Sequence, residues 1–458
     1  MHSVSVTRDA AGLPVYRGRF GRYEAERLLW RAGFGPRRGE AEVVARLGLE
    51  GAVEALTRPP ARDRLVGPPP RDAKGRPIAP IDAWGHDHAW WLDRMVRTSR
   101  PLVERMALVW HDWFATSNEG VGSQKLMLRQ NHLFRRLALG SFETLLLEVT
   151  KDPAMLVWLS GNENEERAPN ENYARELMEL FTLGANRGYT ERDVREQARA
   201  LTGWRNDWRN GPGYVDFRYD VARHDVGVKQ IFGKRGRFDW RDACRLCVGH
   251  PLHISFFVRK LWSYFVPAEP DRATQRGLEH LYRRSRYATR PVVQAVLRHP
   301  ALYEGPRMVK PPVVHTAGML RALGRGVQEA DAWAWRNRLA GQQLFYPPNV
   351  AGWDDEHWLD TATFRGRWIG VADILGRQAL DPRRPRRNQP RQPEALVRAA
   401  LSFWGNPTIS RETKLVLHRF AKRSLADARA DWQKNQYPVL VENGLRLLIA
   451  VSPDYLTS

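Results

Sequence analysis

Apolar residues recur every three to four positions through most of the chain, the spacing of helices packed along one face. Residues 91–100 (WLDRMVRTSR) open one such stretch. Residues 102–114 form the next, with Val103, Met106, Leu108, Val109 and Trp113 in register and Pro101 suited to a first turn, where its missing N–H costs nothing. Residues 126–148 continue the pattern, and 394–404, 411–433 and 444–450 repeat it near the end, the last stopping before Pro453. Period-two alternation is scarce apart from Tyr214-Val215-Asp216-Phe217. No repeat period or heptad array is present. The pattern predicts an all-α fold: a large, mostly helical domain with long Pro-rich loops and at most short β hairpins.

Two stretches interrupt it. Residues 58–80 hold seven prolines with Gly67 and Gly75 and exclude regular helix. Residues 381–393 (DPRRPRRNQPRQP) read as an exposed loop. The expected organisation is a main helical domain over 1–380 with a Pro-rich insertion at 58–80, an Arg/Pro-rich loop at 381–393, and helices at 394–458 packing on the main domain.

Residues 169–204 (PNENYARELMELFTLGANRGYTERDVREQARALTGW) carry most information. Asn170 can cap a helix by accepting an orphan amide, and Gly184 suits its left-handed end. At 100° per residue Tyr173, Ala174, Leu177, Met178, Leu180 and Phe181 share an apolar face, opposite Glu171, Asn172, Arg175, Glu176, Glu179 and Thr182. Thr190 with Asp193 forms a capping box for a second helix, which Val194, Ala198 and Leu201 bury and Gly203 stops. The polar face reads in two ways. Glu176 and Glu179, three apart, can share a metal or divide acid and base roles. Alternatively Glu171, Arg175 and Glu179 form a surface ladder worth about 0.2–0.5 kcal/mol per pair. Spacing alone favours the ladder.

Composition narrows the field. The chain has 458 residues, 18 Trp and a formal charge of +21. Its aromatic content excludes wholesale disorder, and the lack of an apolar run of about 18 residues excludes a transmembrane helix. Two cysteines cannot make a disulfide framework. Residues 1–15 carry early charge and no apolar stretch of signal-peptide type, so the expected compartment is the cytoplasm. The charge fits either arginines spread over helix surfaces or a face for nucleic acid or an acidic partner protein. Phosphate-loop, nucleophile-elbow, zincin and dinucleotide motifs are absent from the sequence. Cys244-x-x-Cys247-x-x-His250-x-x-His253 looks like a zinc string, but zinc folds place a long insert between the two pairs; a helix with both cysteines packed is favoured. Trp333, Trp335 and the Pro347-Pro348 turn suit core packing better than a pocket wall.

Several motifs together resemble one family. Residues 27–35 read RLLWRAGFG. Glu104-Arg105-Met106 leads to His111-Asp112-Trp113-Phe114-Ala115-Thr116-Ser117. Residues 169–184 and 188–204 follow, then His224-Asp225, FVRKLWSYFV at 257–266, Tyr346-Pro347-Pro348-Asn349-Val350-Ala351-Gly352-Trp353 and Ser452-Pro453-Asp454-Tyr455. In this order they resemble the bacterial domain-of-unknown-function 1800 family. The resemblance implies a helical protein and no established reaction. It also implies relatives that are often exported and often encoded beside an alkaline-phosphatase-like companion. Such relatives often read His-Asn-His-Phe where this chain has His111-Asp112-Trp113-Phe114, so one imidazole is replaced by Trp113.

The expected site draws distant segments together. The helix after Asn170 would pack beside His111 and the His224 loop. His111, Glu176, Glu179 and His224 would then serve as catalytic groups, and Asn172, Arg175, Asp225 and Asn349 would contact substrate. His111, Asp112, Glu176 and His224 would supply ligands for a divalent metal, for hydrolytic or oxidative chemistry. The alternatives are a non-catalytic basic module for nucleic acid or an acidic protein, and a scaffold for a phosphatase-like companion.

Overall fold

In the computed structural model, which describes residues 12–458, the helical periodicities resolve into twenty-three α-helices and two short antiparallel hairpins among those residues. The expectation about residues 1–15 rests mainly on positions outside the described residues. No described helix is long and apolar enough to cross a membrane.

The expected elements appear with shifted ends. Residues 91–97 belong to a helix His86–Arg97, 98–100 form the link after it, and Pro101 begins the helix Pro101–Trp113. The stretch 126–148 divides into Gln124–Arg136 and Phe142–Thr150, capped by Ser123 and Ser141. The alternating run at 214–217 lies in a strand Gly213–Tyr219, paired with Trp204–Arg209. The Thr190 box forms in both directions, Asp193 N–H to Thr190 Oγ1 at 3.2 Å and Thr190 N–H to Asp193 Oδ2 at 2.8 Å.

Two elements depart from the reading. The helix expected over 411–433 ends at Ala426, and a new one runs Asp431–Ala450 straight through Pro438. Gln433 Oε1 accepts the Ala430 N–H at the new start. Val439, Val441, Leu445 and Ile449 are buried along it. That packing outweighs the backbone hydrogen bond lost at proline. The second departure lies in the 169–184 segment. Helix Asn172–Glu176 passes into a π-helical turn, Leu177–Thr182, so a constant 100° step does not describe its last residues.

The core centres on aromatic rings. Trp113, Phe114, Phe142, Phe181 and Phe257 are fully buried and meet ring to ring at 4.9–5.9 Å, as in Phe142–Phe257 and Phe114–Phe142. Cys244 and Cys247 are free and buried. The Cys244 thiol meets Thr150 Oγ1 at 3.1 Å and Cys247 takes Gln197 Nε2 at 3.3 Å. His250 instead caps the helix Pro251–Ser263, accepting Leu252 N–H. The four side chains of the would-be zinc string thus serve separate packing roles.

Close helix approach depends on Gly366. A Cβ there would overlap the backbone of Leu339 and Ala340, at the end of helix Ala330–Leu339, so Thr361–Gly376 would be pushed off it. Gly366→Ala is expected to cost about 1–3 kcal/mol, read as a lower denaturation midpoint in urea with an unchanged slope.

Candidate functional site

A π-turn uses wider hydrogen-bond spacing than an α-helix, and its last carbonyls need partners from elsewhere. Here each finds one. Lys260 Nζ donates to Leu180 O at 3.0 Å, Trp113 Nε1 to Phe181 O at 3.1 Å, and His253 Nδ1 to Thr182 O at 3.0 Å. His253 Nε2 then accepts from Tyr282 OH at 3.2 Å, which fixes its tautomer, and burial lowers its pKa to about 4. The turn is thereby tied to the helices Pro101–Trp113 and Pro251–Ser263.

The polar face of the segment is the ladder, enlarged. Arg175 bonds Glu171 at 3.1 Å, Glu179 at 3.5 Å and Glu191 of the following helix at 2.9 Å. Glu176 is half-buried and makes no ion pair among the described residues; burial and then Glu179 raise its pKa. Asn172 is exposed, its N–H held by Asn170 Oδ1 at 2.9 Å.

The two imidazoles sit in unlike surroundings. His111 is buried among Trp91, Trp353, Phe345 and Phe134, with ring centroids 5.3–6.2 Å away, and Nε2 has no hydrogen-bond partner. Burial lowers its pKa to about 3, so it is neutral. His224 lies against Tyr219, its Nδ1 3.1 Å from Thr202 Oγ1. Asp225 is taken by Arg199, through Nε at 2.6 Å and Nη2 at 3.2 Å, and by Gly227 N–H.

Asp112 is one step along the helix from His111 and therefore points about 100° away. Its Oδ2 accepts from Tyr264 OH at 2.7 Å and Oδ1 from Trp353 N–H at 2.9 Å. It latches the loop that carries Asn349, an exposed residue whose Oδ1 accepts Ala351 N–H. Gly352 sits at φ +103°, where a Cβ would strike the Asp112 carboxyl. Burial raises the Asp112 pKa and lowers that of Lys260, which faces it, to about 8.

The expected ligand set of His111, Asp112, Glu176 and His224 is therefore not gathered. Among the described residues no group of three or more His, Cys, Asp or Glu is placed to hold a metal ion. Neighbours on a helix diverge, so His111 and Asp112 point apart; His111 is walled in by aromatic rings, Asp112 is held by Tyr264 and Trp353, and His224 meets Thr202.

A recess of about 510 Å³ lies elsewhere, lined by Arg129, His132, Leu133 and Arg136 of the Gln124–Arg136 helix, by Glu148, Lys151, Asp152 and Pro153, and by Trp204 and Phe217 of the hairpin. Glu148 is held by Lys151 at 2.7 Å and Arg136 at 3.6 Å. Arg129 makes no ion pair among the described residues. Asp152 caps the helix Pro153–Trp158. Its Oδ1 takes Gln130 Nε2 at 2.9 Å and the N–H groups of Ala154 and Met155, while Oδ2 makes no hydrogen bond. Burial raises the Asp152 pKa to about 7. None of these recess residues is among those the sequence points to for the site. Asp152-Pro153 carries the signs of a helix cap, but a recess assembled from three separated segments leaves no local pattern.

Fold and recess define a mostly helical protein whose recess is lined by basic, acidic and aromatic side chains. The chain matches the family described as protein of unknown function DUF1800 over residues 27–457, and it belongs to that family. Neither a curated protein nor a solved structure matches it.

Asp112→Ala would leave the Tyr264 hydroxyl and the Trp353 amide without their acceptor. The expected cost is at least about 2 kcal/mol, with faster proteolysis within 346–358 as the local readout.

Proposed function

We propose that this protein binds a small anionic ligand with a flat or ring-shaped portion, and that the site is the recess between the Gln124–Arg136 helix and the hairpin. The observation that carries the reading is an unpaired guanidinium, Arg129, at a recess of ligand size. Arg129, Arg136 and Lys151 would meet the anionic group, with guanidinium forks suited to carboxylate or phosphate oxygens. Trp204 and Phe217 offer ring faces to the remainder.

The metal-centred reading has less support, because among the described residues no three His, Cys, Asp or Glu side chains are grouped to hold an ion. Nucleic-acid binding calls for a run of unpaired basic side chains. Several arginines of the hairpin and the turn after it are instead spent on acids: Arg218 on Asp207, Arg205 on Asp220, Arg209 on Asp216 and Arg223 on Glu165.

Calorimetric titration with phenyl phosphate and 1-naphthalenesulfonate tests the proposal. Binding should weaken with added salt, and Arg129→Ala should lower affinity about tenfold or more, the worth of a charge-assisted hydrogen bond. Unchanged affinity in Arg129→Ala and Arg136→Ala, or no binding of either probe, would overturn it.

A further inference from the structure

An anion entering the recess meets two groups of its own sign, one ion-paired twice and one that lies in the field of Arg129 but makes no ion pair. Glu148 is engaged by Lys151 and Arg136. Asp152 forms no ion pair among the described residues, and its residue surface is only 4% exposed. All its side-chain hydrogen bonds converge on Oδ1. Asp152 nevertheless lines the recess. An ionised Oδ2 would repel the ligand, whereas a protonated one would be a donor.

We propose that Asp152 enters the complex as the neutral acid and donates a hydrogen bond from Oδ2 to the bound anion, so that uptake of the ligand carries one proton with it. The inference rests on the anion-binding reading above. It deepens that reading by assigning the ligand an acceptor oxygen and the site a dependence on pH.

The groups around Asp152 bear on this. Arg129 favours its ionised form and opposes the effect of burial, and Asp152 in turn adds to burial in raising the pKa of Tyr173. Of the recess lining, Arg129, His132 and Arg136 come from the Gln124–Arg136 helix, Glu148 from Phe142–Thr150, and Lys151 from the turn before Asp152, while the strands contribute only Trp204 and Phe217. His132 is the other group able to titrate near neutrality. Burial, with Arg135 and Arg94 beside it, lowers its pKa below the usual 6.5. Above pH 7 it is therefore already neutral. Burial raises the Asp152 pKa to about 7. The competent, protonated fraction then falls about tenfold per pH unit well above that value.

The test uses 1-naphthalenesulfonate, whose charge is constant between pH 5 and 9. Affinity should weaken toward tenfold per unit between pH 7.5 and 8.5. Calorimetry in two buffers of different ionisation enthalpy should show close to one proton taken up at pH 8. Asp152→Asn keeps an oxygen for Gln130 and the helix amides, since Asn caps as well as Asp, and places an N–H donor where Oδ2 stands. Its affinity should be high and flat across the same range.

Probe binding with no proton uptake, or a pH slope that survives in Asp152→Asn, would overturn the proton coupling and leave the anion site standing. Absence of probe binding at every pH would remove both. The two-buffer measurement is made on the unaltered protein, so the result stands even if the variant fails to fold.

Discussion

Three carbonyl oxygens at the end of one π-turn hold the architecture around the core together. The oxygens of Leu180, Phe181 and Thr182 each receive a side-chain donor from another helix, from Lys260, Trp113 and His253. Buried carbonyls left unpaired would cost about 1–3 kcal/mol each. The turn is therefore stable only when the helices Pro101–Trp113 and Pro251–Ser263 are both in place. The same two helices bring Asp112 to Tyr264, and that pair in turn holds Trp353 and its loop. A local irregularity in one helix thus fixes the relative position of three segments far apart in sequence.

The sequence shows the helices well and the π-turn not at all. Caps and periodicity are local, so Asn170, Gly184 and the Thr190–Asp193 box are readable from a few residues each. The π-turn is set by donors that arrive from elsewhere, and a spacing rule of 100° per residue has no way to register them. The path through Pro438 has the same origin. Proline is a local stop signal, and it is overridden by buried Val439, Val441, Leu445 and Ile449 along the same helix.

The expected ligand set is not gathered for a related reason. Residue type and motif resemblance point to His111, Glu176, His224 and Asp225, and neither says which side chain is already engaged. Asp225 is held by Arg199, Arg175 joins three glutamates, and His111 is ringed by aromatics. The resemblance noted at His111-Asp112-Trp113-Phe114 was informative in another way. Trp113 donates from Nε1 to the π-turn, so the residue standing where relatives often have histidine works here as a hydrogen-bond donor inside the core.

The arginine excess also gains a structural explanation that composition could not supply. Part of it is interior. Arg321 donates to the carbonyls of Gly35 and Val96, Arg367 to those of Trp358 and Lys310, and Arg27 to those of Gly305 and Pro306. A guanidinium carries five donors in a planar fork and suits chain segments whose carbonyls lack amide partners. Another part is neutralised at the surface by aspartates and glutamates. Net charge therefore says little about ligand. What distinguishes the recess is local: a guanidinium with no ion pair and a carboxyl with one idle oxygen share one volume. Either alone would be unremarkable, since unpaired surface arginines and capping aspartates are both ordinary. Placed together at one recess, a fixed positive charge and an acid that titrates near neutrality favour an anion that can also accept a proton-bearing hydrogen bond.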